Sequence, residues 1–110
     1  MERFVKGDIV IVPFPFSDLT QAKRRPALVI ANPVGNDLIL CPVTTKNKKD
    51  TYAISLNSDD FSSGALKHSG YIRANILFTA EIKIILKRVG NLNKDKLTEV
   101  VDKVVAIIQK

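Results

Sequence analysis

Cysteine and histidine occur once each among the 110 residues, and that scarcity closes off several kinds of chemistry before any motif is read. A lone Cys41 cannot form an internal disulfide, so the chain suits a reducing compartment and a cytoplasmic location is expected. No His-x-x-x-His or paired-cysteine spacing is present, so no metal and no other cofactor is expected. No apolar run approaches the roughly 20 residues that a membrane-spanning helix needs. Asp8 interrupts the one hydrophobic stretch near the start, so no signal peptide is expected either. A glycine-rich phosphate loop, internal repeats and low-complexity segments are also absent. Acidic residues are in short supply, 11 against 17 lysines and arginines, which leaves a net charge of +6. That imbalance points to nucleic acid or an acidic protein as the partner.

What is present suits a single domain, residues 1–110, long enough for one core and too short for two. DIVIV (8–12) is β-branched and follows Gly7, which marks a first strand. Pro13 and Pro15 are expected to end its pairing and to open a long polar loop that Pro26 closes. ALVIA (27–31) and LILCPV (38–43) then read as core strands, TYAISL (51–56) as a half-buried one. A turn-rich segment follows, with a short helical turn near Asp59 to Phe61. YIRANILFT (71–79) and EIKIILKRV (81–89) read as two further strands. From Leu97 the apolar residues switch to helical spacing: Leu97, Val100, Val101, Val104, Val105 and Ile108. Asn93 is the expected N-cap, Asp95 suits the first turn, and Leu92 is placed to staple onto Leu97. The order is mainly β, five to seven strands and one terminal helix, best accommodated by a small, strongly curved barrel.

The polar residues that could do chemistry are biased toward cations. Lys23, Arg24 and Arg25 crowd the mouth of a core strand, and Pro26 holds the preceding backbone extended, so Arg25 leaves the sheet in a defined direction. Thr44 and Thr45 end the next strand, where a hydrogen-bonded turn and a functional role are equally open. Arg73 lies mid-strand, on the face that alternation shares with Tyr71 and Asn75. Two positioned guanidinium forks suit the oxygens of a phosphate. KNKK (46–49) reads as a solvated basic loop. His68 beside Ser69 reads as an exposed loop histidine, and Cys41 as a buried, inert thiol.

The segments GDIVIVPFPF, RRPALVI, CPVTTK and SGYIRANILFT, followed by VGNL and the terminal helix, resemble the MazF/PemK toxin family, in order along nearly the whole chain. Arg-Pro before the second strand together with Pro-Val-Thr at the end of the third carries most of the specificity. The resemblance implies an SH3-like barrel with a C-terminal helix, a fold shared with the gyrase poison CcdB. It also implies a homodimeric, metal-independent endoribonuclease that cuts single-stranded mRNA, restrained by a cognate antitoxin with an acidic flexible tail. By the same resemblance Arg25 and Thr44 would be catalytic or RNA-contacting, Arg73 matches a further family arginine, and Ser69, Asn75 and Gln21 fall at family positions. Arg25, Thr44 and Arg73 are the expected catalytic residues. Gln21, Ser69 and Asn75, with Arg24, Thr45 and Lys46 of the cationic set, are expected to contact RNA. The chain departs from the family pattern in two places. DLTQAKRRP has Leu19 and Thr20 where the family carries a histidine and a glutamate, and Asn75 stands at an acidic position. No general base is identified, so a rival reading stays open: a catalytically weakened RNA binder or a CcdB-like inhibitor of a topoisomerase.

Overall fold

The apolar runs of the first three strands are continuous rather than alternating, and the computed structural model shows why. It describes residues 3–14, 23–33, 35–46 and 50–110. The strands β1 (Asp8–Phe14), β2 (Lys23–Ala31) and β3 (Asp37–Thr44) lie side by side and are buried on both faces. Ile9, Leu28 and Cys41 point into one hydrophobic cluster, which also takes Ile54, Ile72 and the helix residues Val100 and Val104. Val10, Val12, Val29 and Leu40 point the opposite way, into a second cluster with Phe4, Leu38 and Ala80. A strand with cores on both sides needs an apolar residue at every position.

Five shorter strands complete the sheet: β4 (Ala53–Leu56), β5 (Phe61–Gly64), β6 (Gly70–Arg73), β7 (Phe78–Glu81) and β8 (Lys87–Leu92). Pairing is antiparallel throughout, in the order β4-β6-β3-β2-β1-β8-β5, with β7 also on β3. The mainly β, curled half-barrel with a C-terminal helix agrees with the expected class. Among the described residues it has eight strands, because the turn-rich segment after the 3-10 turn at Ser58–Asp60 contributes β5 and the segment 71–79 divides into β6 and β7. Gly64 makes that pairing possible. Its φ is +72°, and a Cβ there would lie 2.2 Å from the Val89 carbonyl oxygen.

Several boundaries differ from those expected. β1 does not stop at Pro13 but runs to Phe14, with Pro13 opposite Arg24. The Ile11 carbonyl accepts from the Leu86 amide at 2.9 Å, so the groups of Pro13, two residues on, face the side where β8 has already ended. A missing N–H on an unpaired side removes no ladder bond. β2 correspondingly begins at Lys23 rather than Ala27, which makes the basic cluster itself part of the sheet. The segment 71–79 is two strands: the Ile76 amide donates to the Arg73 carbonyl at 3.2 Å in a turn that interrupts the pairing, and both pieces run antiparallel to β3. The two pieces pair with opposite ends of β3, β6 at Val43–Thr44 and β7 at Asp37–Leu40. The segment 81–89 is broken by a 3-10 turn at Ile82–Ile84, from which β8 crosses to pair with β1.

The helix α1 (Lys94–Ile108) starts as its cap foretells, with the Asn93 side chain accepting from the Lys96 amide at 2.8 Å. Its buried face is Val100 and Val104, flanked by Leu97 and Ile107, while Val105 and Ile108 of the expected stripe stay exposed. Each buried valine contributes about 1.5–3 kcal/mol toward docking the helix. Among the described residues Asp8 is the most deeply buried charge. Its carboxylate accepts from Arg88 Nε at 2.9 Å, Asn91 Nδ2 at 2.9 Å and the Val5 amide at 2.8 Å. The acid that interrupts the first apolar stretch thus ties the N-terminal segment to β8.

Candidate functional site

The β2 and β3 ends that carry the basic cluster and the threonines come out on the same side of the half-barrel. A cleft of about 350 Å³ opens there, lined by Lys23, Arg24 and Arg25 from β2 and by Thr44 and Thr45 at the end of β3. Register explains the meeting: the pairing of β2 with β3 ends at Ala27 and Pro42, beyond which β2 stays on β1 and β3 on β6, so the residues before one and after the other flank the same gap. Arg25 is half-buried and Arg24 exposed, and they sit opposite Val12 and Pro13 of β1. Val43 and Ile11 supply an apolar floor. A wall of cations over an apolar floor, with hydroxyls opposite, suits a phosphodiester and the sugar attached to it.

Thr44 performs the turn role weighed for it. Its Oγ1 accepts from the Lys46 amide at 3.1 Å, and the hydroxyl hydrogen remains available to donate. Lys46 itself is exposed beyond the cleft. The third side of the cleft comes from Leu66, Lys67, His68 and Gly70. Lys67 and His68 are not among the expected site residues. The signal that points to them is the Ser-Gly step just after: a Cβ on Gly70 would lie 2.6 Å from the Thr44 carbonyl oxygen, so only glycine lets β6 approach β3 this closely. Ser69 faces a smaller neighbouring pocket, which it shares with His68, Asn57 and Ser58.

Arg73 does not line the cleft. It is 7% exposed and forms a bidentate pair with Asp50, Nη1 to Oδ1 at 3.0 Å and Nη2 to Oδ2 at 2.8 Å. Asp50 also accepts from the Tyr52 and Ala53 amides, at 3.0 and 3.2 Å. The Arg73 hydrogen bonds hold the Asp50 carboxyl below the usual carboxylate range. A carboxylate therefore stands beside Arg73, but it comes from position 50 and not from position 75. Asn75 lies exposed in the turn after β6. Gln21, Leu19, Thr20 and most of the KNKK run are outside the described residues. Cys41 is fully buried, and burial pushes its thiol up to about 12, so it stays protonated and unreactive. No group of three or more histidine, cysteine, aspartate or glutamate side chains comes together among the described residues. No described helix is long and apolar enough to cross a membrane.

The fold is thus a curled sheet with a terminal helix, and a basic cleft lies between its second and third strands. The model of the PemK-like, MazF-like toxins of type II toxin–antitoxin systems matches residues 5–108, and the chain belongs to that family. No curated protein sequence matches it. Among solved structures it is similar to MazF of Deinococcus radiodurans, at 23% identity over 100% of both chains with a TM-score of 0.79. It is also similar to a MazE–MazF complex of that organism, at 22% identity over 99% of this chain and 98% of that one, TM-score 0.77. A third is an endoribonuclease in complex with its cognate antitoxin from a mycobacterial species, at 12% identity over 99% and 96%, TM-score 0.76. At these identities the likeness is one of fold.

Proposed function

We propose that the protein is an endoribonuclease toxin that cuts single-stranded RNA by attack of the substrate's own 2′-hydroxyl, without a metal. The observation that carries this reading is the convergence of Arg24, Arg25 and Thr44 on one cleft. In such a reaction the protein must hold the 2′-oxygen in line with the phosphorus and stabilise the added negative charge there. Arg25, half-buried at the strand mouth, takes the phosphate and the departing 5′-oxygen. Thr44 donates its hydroxyl hydrogen to orient the sugar–phosphate. Arg24, Thr45 and Lys46 hold the flanking backbone. Arg73 is assigned away from the phosphate, since its fork is filled by Asp50 and anchors the segment that leads into β4. The products are a 2′,3′-cyclic phosphate and a 5′-hydroxyl, and DNA binds without being cut.

A cognate antitoxin with an acidic tail fits the net charge of +6, as charge complementarity favours its docking over the same cleft. Homodimerisation is supported by Ile76, Leu77, Ile84 and Leu86, which remain 40–48% exposed around β7.

Incubating purified protein with end-labelled single-stranded RNA in chelator tests the reading. Cyclic-phosphate ends are expected from the wild type. Arg25→Ala is expected to cut at least a hundredfold more slowly, on the order of one lost charge-stabilising donor. A mobility shift with intact RNA would favour the binder instead, and an Arg25→Ala rate equal to wild type would remove Arg25 from the chemistry.

A further inference from the structure

We propose that His68 is the general base that takes the proton from the attacking 2′-hydroxyl, an inference that rests on the nuclease reading above and adds the group it lacks. Arginine and lysine are protonated near neutrality and threonine hydroxyls are far too weakly basic, whereas a neutral imidazole offers a lone pair. Among the described side chains of the cleft, His68 alone has that chemistry.

Its placement is built rather than incidental. Leu66 packs against the core cluster that holds Val43 and Ile72, which fixes one end of the span. Gly70 fixes the other end, buried where β6 begins and pressed against the Thr44 carbonyl, with no room for a Cβ. His68 is the middle of the three residues between these anchors and is exposed on the wall that separates the cleft from the smaller polar pocket. It therefore lines the same cleft as Thr44 and Arg25, where the proposed reaction brings the 2′-oxygen and the phosphorus together.

In the step assigned to it, the 2′-oxygen forms a bond to phosphorus as its proton passes to the imidazole. The bond from phosphorus to the 5′-oxygen breaks, and that oxygen takes a proton from a water held at Arg25. The hydroxide so formed recovers the proton from the imidazolium. No proton is gained or lost overall, and the base is regenerated.

Single-turnover cleavage of a labelled RNA in chelator, compared for wild type, His68→Asn and His68→Ala, tests this. An uncleavable 2′-deoxy oligonucleotide of the same sequence reports binding alone. His68→Asn is expected to cut about a hundred- to a thousandfold more slowly, the usual worth of a positioned base. Binding of the deoxy oligonucleotide should stay within about twofold, since a base makes its contribution in the transition state. Free imidazole should restore part of the His68→Ala rate. His68→Asn cutting at the wild-type rate overturns the assignment while leaving the nuclease reading intact. A fall in binding equal to the fall in rate also overturns it, making His68 a contact only. Wild-type protein that leaves RNA uncut removes the nuclease reading and this inference together.

Discussion

Two arginines, both placed in strands and both matched to phosphate chemistry by residue type, end up in different surroundings. Arg25 projects from a strand mouth into the cleft, while Arg73 turns inward and closes a double hydrogen bond on Asp50. A guanidinium already matched by a carboxylate has little to offer a phosphate, and a buried one left without its partner is costly. The pair has a consequence for acid stability. The Asp50 carboxyl is held below its ordinary value of 3.8, chiefly by the Arg73 hydrogen bonds. Its contribution is therefore fully present above that value and disappears as the pH falls through the lower folded one. Urea midpoints measured from pH 6 downward should drop for the wild type below the carboxylate range. Asp50→Asn should start lower and fall less over the same window; parallel curves for the two proteins would show that the pair has no linkage to folding.

Strands and turns decide what the residues can reach. β3 is the organising element, because β2 runs along one side of it and β7 and β6 share the other. Gly70 is the tightest point of that arrangement, and through it the position of Thr44 depends on a backbone 26 residues away in sequence. Gly70→Ala is expected to destabilise the fold by about 1–3 kcal/mol, the cost of overpacking a close contact. Its cutting rate should fall further than the stability loss explains, since β3 and β6 must separate at Thr44. Urea unfolding and RNA cleavage of the same preparation check both parts, and an unchanged midpoint would mean the strands tolerate the extra methyl. Elements of this kind are only partly legible from spacing. The N-cap of α1 and the apolar runs of β1 to β3 are local patterns. The break of 71–79 into two strands depends on which end of β3 each half can pair with, and period-two alternation carries no trace of that.

At the scale of the whole molecule, charge is the property that a partner meets first. For the RNA substrate proposed above, a net charge of +6, with Lys23, Arg24 and Arg25 gathered at one cleft, is expected to make affinity steeply dependent on salt. For single strands each neutralised phosphate contributes about 0.7 to the slope of log affinity against log salt. Arg24→Ala should lower that slope by about this amount in anisotropy titrations of the uncleavable 2′-deoxy oligonucleotide. An unchanged slope would place Arg24 off the nucleic-acid backbone.

The sequence by itself determined the family, the mainly β course ending in a capped helix, the basic balance, and the pairing of Arg-Pro with Pro-Val-Thr that marks the cleft. Those features depend on neighbouring residues, whose propensity and periodicity are local. Only the tertiary structure decided which arginine lines the cleft, which carboxylate holds the other, and that a loop histidine lines the cleft with Thr44. Each of these joins residues roughly 20 or more positions apart, and strand register, set by how both cores fill at once, is what brings them together.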